Sequence, residues 1–140
     1  MKSPVIVHTD GGARGNPGPA AVGVWITDAE NNCLARFGKT IGIATNNIAE
    51  YQAVIEALEW LKCFRGFELE KVKFYLDSML VVNQLNGVFK IKEAHLKGLF
   101  QKIYRLKQEI GIDLSFEYLP REKNRVADSL VNQALDASRD

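Results

Sequence analysis

The chain has 140 residues, 46% of them hydrophobic and 25% charged, with a net charge of only +1. This length suits one domain that buries roughly two-thirds of its unfolded surface, so residues 1–140 are expected to form a single unit. The near-neutral balance argues against indiscriminate nucleic-acid binding through bulk charge, and no apolar run approaches the ~20 residues needed to cross a bilayer.

Met1-Lys2-Ser3-Pro4 leads into a strand-like run without a secretory apolar stretch. Pro4 to Asp10 (PVIVHTD) is rich in β-formers and reads as a strand. The following GGARGNPGP is dense in glycine and proline and is expected to be a loop. Ala20 to Thr27 and Cys33 to Ile41 read as two further strands, separated by the polar stretch Asp28 to Asn32. These strands suggest an antiparallel meander.

The period then changes. Between Asn46 and Phe64, Val54, Leu58 and Leu61 recur at helical spacing, with Thr45 or Asn46 as the N-cap. Lys71 to Leu76 alternates and reads as a strand. Ser78 to Leu85 reads as a helix ending near Asn86-Gly87, and Glu93 to Ile110 as a second helix stopping at Gly111. Ile112 to Leu119 is the last strand, Pro120 opens a short loop, and Asn124 to Ala137 is the last helix. The order β-β-β-α-β-α-α-β-α predicts an α/β fold with one five-stranded mixed sheet: an antiparallel meander plus parallel strands, flanked by helices.

Cys33 and Cys63 form neither a metal spacing nor a disulfide framework. Free thiols in a reducing cytoplasm are the expectation. Lys90, Lys92, Lys97, Lys102, Arg105 and Lys107 cluster, with Glu93 the only acid among them. On charge alone they read as a solvated helix face.

Glu50 breaks the pattern. It shares a helix stripe with Val54, Ala57, Leu58 and Leu61, where a carboxylate is rare unless paired or bound to metal. The alternative is a first-turn acid favoured by the helix dipole. Asp10 ends the first strand run, Asp77 follows the fourth, and Asp128 lies one turn into the last helix. Each of these three has an ordinary structural reading. Gathered together, however, four carboxylates would repel unless a cation sat among them. Hard divalent ions take such oxygen ligands, and a cluster of this kind suits two-metal phosphodiester hydrolysis.

These motifs resemble the type 1 ribonuclease H family. Thr9 to Pro19 is similar to its TDGG-x-x-GNPGP signature, Thr45 to Glu50 to TNN-x-x-E, Asp77-Ser78 to DS, and Asn124 to Asp128 to N-x-x-AD. They occur in the family's order over nearly the whole chain. The resemblance implies an endonuclease that cuts the RNA strand of RNA–DNA hybrids, leaving 5'-phosphate and 3'-hydroxyl ends. It implies that Asp10, Glu50, Asp77 and Asp128 hold two Mg²⁺ or Mn²⁺ ions with substrate bound. Gly11, Gly12, Arg14, Asn16, Thr45, Asn46, Asn47 and Ser78 would contact the substrate, with Thr45 at a phosphate of the DNA strand. A monomer is expected, with double-stranded RNA as a second candidate substrate.

The chain departs from the best-studied bacterial pattern in three places. The usual loop histidine is missing from Leu119 to Asn124, where Arg121 stands in part in its place. It can hold a phosphate, but its pKa is too high for a general acid. His8 and His95, on a strand and a helix, read as structural. The basic protrusion is replaced by the short Gly87 to Lys92 linker, as in archaeal and some bacterial members, which moves the lysine-rich helix toward a binding role. Met79 follows Asp77-Ser78 where a groove-reading glutamine often stands. Two other readings compete: a catalytically silent module binding hybrid or double-stranded RNA, and another nuclease of the superfamily.

Overall fold

Three antiparallel strands open the computed structural model, which describes residues 2–138. They are β1 (Lys2–Ala13), β2 (Gly18–Asp28) and β3 (Cys33–Ala44). Then follow α1 (Asn46–Cys63), β4 (Glu68–Leu76), α2 (Met79–Leu85), α3 (Ala94–Ile110) and β5 (Asp113–Tyr118). A single 3-10 turn, Arg121–Lys123, leads into α4 (Arg125–Ala137). The sheet order is β3-β2-β1-β4-β5, with β4 parallel to both β1 and β5. The predicted five-stranded mixed sheet is therefore the observed one.

The first four strands run longer than expected, most tellingly at the end of β1. The glycine-rich stretch is not a loop from Gly11 onward, because Gly11, Gly12 and Ala13 continue β1 and pair with Val22, Ala21 and Ala20. The connection shrinks to residues 14–17. Tertiary packing overrides the loop propensity of glycine here: a Cβ on Gly11 would overlap the carbonyl group of Ala49 in α1. Glycine is placed for close approach, and the strand extends because its ladder partners are present.

The main core lies between the sheet and α1. Val5, Val7, Val24, Ile26, Phe74 and Leu76 pack with Tyr51, Val54, Ile55 and Leu58, all essentially without solvent contact. Each such aliphatic side chain contributes roughly 1.5–3 kcal/mol. α3 adds Leu96, Ile103 and Leu106 to this core. α4 packs elsewhere, over β2 and β3, where a Cβ on Gly23 would strike the Ala127 carbonyl. Its buried stripe is Ala127, Leu130, Val131 and Leu135.

This frame aligns the acids. The parallel β1–β4 register sets His8 beside Tyr75, so two residues later Asp10 and Asp77 stand level at neighbouring strands. Thr45 caps α1 by accepting from the Ile48 N–H at 3.2 Å, and its first turns carry Glu50 toward Gly11. Gly111 ends α3 in the left-handed region at φ 72°, as its sequence position predicts.

Candidate metal centre

Asp10, Glu50 and Asp77 each offer an oxygen, and these atoms all lie within 4.8 Å of one another. Asp10 is 8% exposed and Glu50 5%. The stripe that made Glu50 suspicious is real: Val54, Ala57, Leu58 and Leu61 are all buried with it. The first-turn alternative does not account for its contact, since the Gly11 N–H donates to Glu50 Oε1 at 2.6 Å. Oε2 is buried without a partner.

Burial pushes the Asp10 carboxyl up to about 7, helped by the charges of Asp77 and Asp128. Burial also raises Glu50 well above the usual range, followed by the charge of Asp10. Asp77 is raised by burial, while a hydrogen bond from Asn124 and the Arg121 charge oppose that shift. Such mutual destabilisation is what a bound cation relieves. Oxygen-only donors, three raised carboxyls and an unpartnered buried carboxylate oxygen together fit a hard divalent ion.

Asp128 falls outside the tight triad, although its charge helps to raise the Asp10 pKa. It faces Arg121, whose Nη2 lies 3.5 Å from Asp128 Oδ1. Both residues line a cleft of about 450 Å³ with Asp10, Glu50 and Asp77. The structure thus brings the four predicted acids and Arg121 to one cleft, three acids tightly and the fourth at its side.

The predicted substrate contacts divide into two groups. Gly11, Gly12, Arg14, Asn46, Asn47 and Ser78 line the cleft, but Asn16 and Thr45 do not. Asn16 Oδ1 accepts from the Asn46 N–H at 3.0 Å, and Asn46 Oδ1 accepts from the Ala13 N–H at 2.9 Å. The two asparagines latch the 14–17 loop to the start of α1. Thr45 and Ser78 accept from Ile48 and Val81 as N-caps, so each hydroxyl still has its own proton to donate. Arg14 reaches Asp136 at 2.7 Å, a partner that sequence reasoning missed.

His8 lies between Trp25 and Tyr75, with ring centroids 5.2 and 5.3 Å away, and burial lowers its pKa. That is the structural role expected of it. Lys102 pairs with Glu59 at 3.3 Å, and Lys107 sits 5.3 Å above the Phe116 ring. These contacts join two of the basic helix's cations to α1 and β5. Met79 is 56% exposed beside the cleft. Cys33 and Cys63 are free and exposed.

A family described as reverse transcriptase-like matches residues 8–134. "Ribonuclease HI" of Halobacterium salinarum is 40% identical over 134 residues, 94% of this chain and 64% of that protein. A ribonuclease H1 isolated from compost by a metagenomic approach has been solved in complex with RNA/DNA hybrid. It superposes with a TM-score of 0.92 at 48% identity, covering 97% of this chain and 99% of that one. The chain belongs to the type 1 ribonuclease H family. A bifunctional protein of Mycobacterium tuberculosis is 38% identical, and the chain spans only 36% of its length. The ribonuclease H family is metal-dependent, and the acidic triad offers the oxygens such an ion needs.

Proposed function

We propose that this chain is an endonuclease hydrolysing the RNA strand of RNA–DNA hybrids, leaving 5'-phosphate and 3'-hydroxyl ends. The observation that carries this reading is the triad of buried Asp10 and Glu50 with half-buried Asp77, with oxygens within 4.8 Å, opening onto a cleft. Asp10, Glu50, Asp77 and Asp128 would hold two Mg²⁺ or Mn²⁺ ions with substrate bound. Bound there, the ions would supply activation of the attacking water and stabilisation of the leaving oxygen.

The chain's own groups do the rest. Gly11 N–H fixes Glu50 Oε1, which leaves Oε2 for the ion. Gly11 and Gly12 line the cleft without side chains, so a ribose 2'-hydroxyl can approach backbone polar groups; that hydroxyl is what distinguishes RNA from DNA. Asn16, Asn46 and Asn47 support the RNA-facing wall, and Arg14 and Ser78 offer donors to it. The Thr45 hydroxyl proton is available to a phosphate of the DNA strand. Arg121, at the rim beside Asp128, holds a phosphate or the departing end.

We read residues 1–140 as one domain acting as a monomer in the cytoplasm. The free thiols favour that compartment, and among the described residues no helix is long and apolar enough to cross a membrane. Double-stranded RNA is a second candidate substrate. Uniformly labelled hybrid, RNA duplex and DNA duplex, assayed side by side across a metal titration, test the reading. RNA-strand cleavage of the hybrid should dominate. Predominant DNA cleavage, or binding without metal-stimulated turnover, would overturn it.

A further inference from the structure

Asn124 occupies the N-cap position of α4, where asparagine ordinarily accepts a hydrogen bond from the first turn. It makes no such bond. Its side chain instead points inward and is 1% exposed. Asn124 Nδ2 donates to the Thr9 carbonyl at 2.9 Å and to Asp77 Oδ2 at 3.2 Å. Its Oδ1 is buried without a partner.

The chemistry fixes the orientation of the amide. Both neighbours are acceptors, so the NH₂ group must face them, one hydrogen to each. Turning the amide over would set oxygen against a carbonyl and a carboxylate. The residue therefore forgoes a cap and leaves an acceptor unsatisfied. Local rules broken together in this way are expected at a functional site.

The two bonds join parts of the site that the sheet alone does not lock. Thr9 precedes Asp10 on β1, while Asp77 lies beyond the last residue of β4 and so has no ladder partner. We infer that Asn124 is a positioning residue: it clamps the Asp77 carboxylate to the Asp10 peptide and so sets the spacing of two oxygen donors. With Oδ2 held by the amide, Oδ1 of Asp77 is left to face the cleft.

This inference rests on the proposed metal-dependent activity, so the test reads metal binding first. Mn²⁺ affinity is measured without substrate by electron paramagnetic resonance for the unmodified chain, Asn124→Ala, Asp77→Asn and the double variant. Thermal unfolding is recorded for each. Hybrid cleavage then gives kcat and KM separately. Asn124→Ala should weaken Mn²⁺ binding about tenfold and lower kcat at least tenfold, with KM for hybrid within about twofold. In the Asp77→Asn background the same change should alter Mn²⁺ affinity by less than about twofold, because the group it acts through is gone.

If Asn124→Ala does not fold, Asn124→Ser is read the same way. Mn²⁺ affinity and kcat both within twofold of the unmodified chain would overturn the inference. So would a full tenfold effect persisting in the Asp77→Asn background. An unmodified chain that neither binds Mn²⁺ nor cleaves hybrid would overturn the proposed function as well.

Discussion

Asp10 and Glu50 are 8% and 5% exposed, whereas the Arg121 side chain, at the rim of the same cleft, is 77% exposed. The inner acids are held from the backbone. Gly11 N–H grips Glu50, the β1–β4 register aligns Asp10 with Asp77, and Asn124 bridges β1 to Asp77. At the rim, Arg121 is held by an ion pair to Asp128 at 3.5 Å, and an exposed pair of that kind stabilises by only about 0–1 kcal/mol. The inner site is thus preorganised at a cost in carboxylate repulsion, while the rim can rearrange around a substrate. Rigidity belongs where charge must be met without reorganisation, and mobility where a strand must enter and leave.

Replacing an inner acid should do most to break this contrast. Asp10→Asn or Asp77→Asn should reduce hybrid cleavage roughly a thousandfold or more, with the fold intact by circular dichroism, because several kcal/mol of metal-borne stabilisation is lost. Full Mg²⁺-dependent activity in both variants would end the carboxylate-site reading.

The repulsion itself predicts a pH effect of intermediate size. An acid whose folded pKa lies above its unfolded value stabilises the fold only while protonated. For Asp10 that contribution is complete below the ordinary value of about 4 and is lost as pH rises through about 7. Metal-free protein should therefore lose stability across that window. Asp10→Asn should be more stable than the unmodified chain at pH 8, by on the order of 2 kcal/mol. Chemical denaturation with and without Mg²⁺ checks both points, since the ion should restore the unmodified chain. A flat stability profile from pH 4 to 8 would contradict it.

The rim should yield the smallest effect. Arg121→Ala should lower kcat roughly fivefold, corresponding to about 1 kcal/mol, while changing Mn²⁺ affinity by less than that. An unchanged kcat would remove Arg121 from the site.

Much of this was legible in the chain. Helical spacing placed Val54, Leu58 and Leu61 against the sheet, and the same stripe exposed Glu50 as anomalous. Thr45 and Gly111 marked helix ends through their capping chemistry. Other features depended on partners remote in sequence. Gly11 and Gly12 read as loop because glycine favours turns, yet they lie in a strand because β2 pairs with them and α1 needs the space at Gly11. Lys102 and Lys107 read as part of a solvated or binding face, and their contacts with Glu59 and Phe116 appear only once the chain is folded.

The sequence by itself determined the order of elements, the caps and the motifs that carry the acids. Those properties are set by periodicity and by backbone preferences within a few residues. Only the tertiary structure decided that three acids converge tightly while Asp128 stands aside with Arg121. It alone made Asn124 a clamp on Thr9, 115 residues away in the chain. The physical reason is reach: a side chain's hydrogen bonds and its burial depend on atoms that the fold, rather than sequence proximity, brings within about 3 Å.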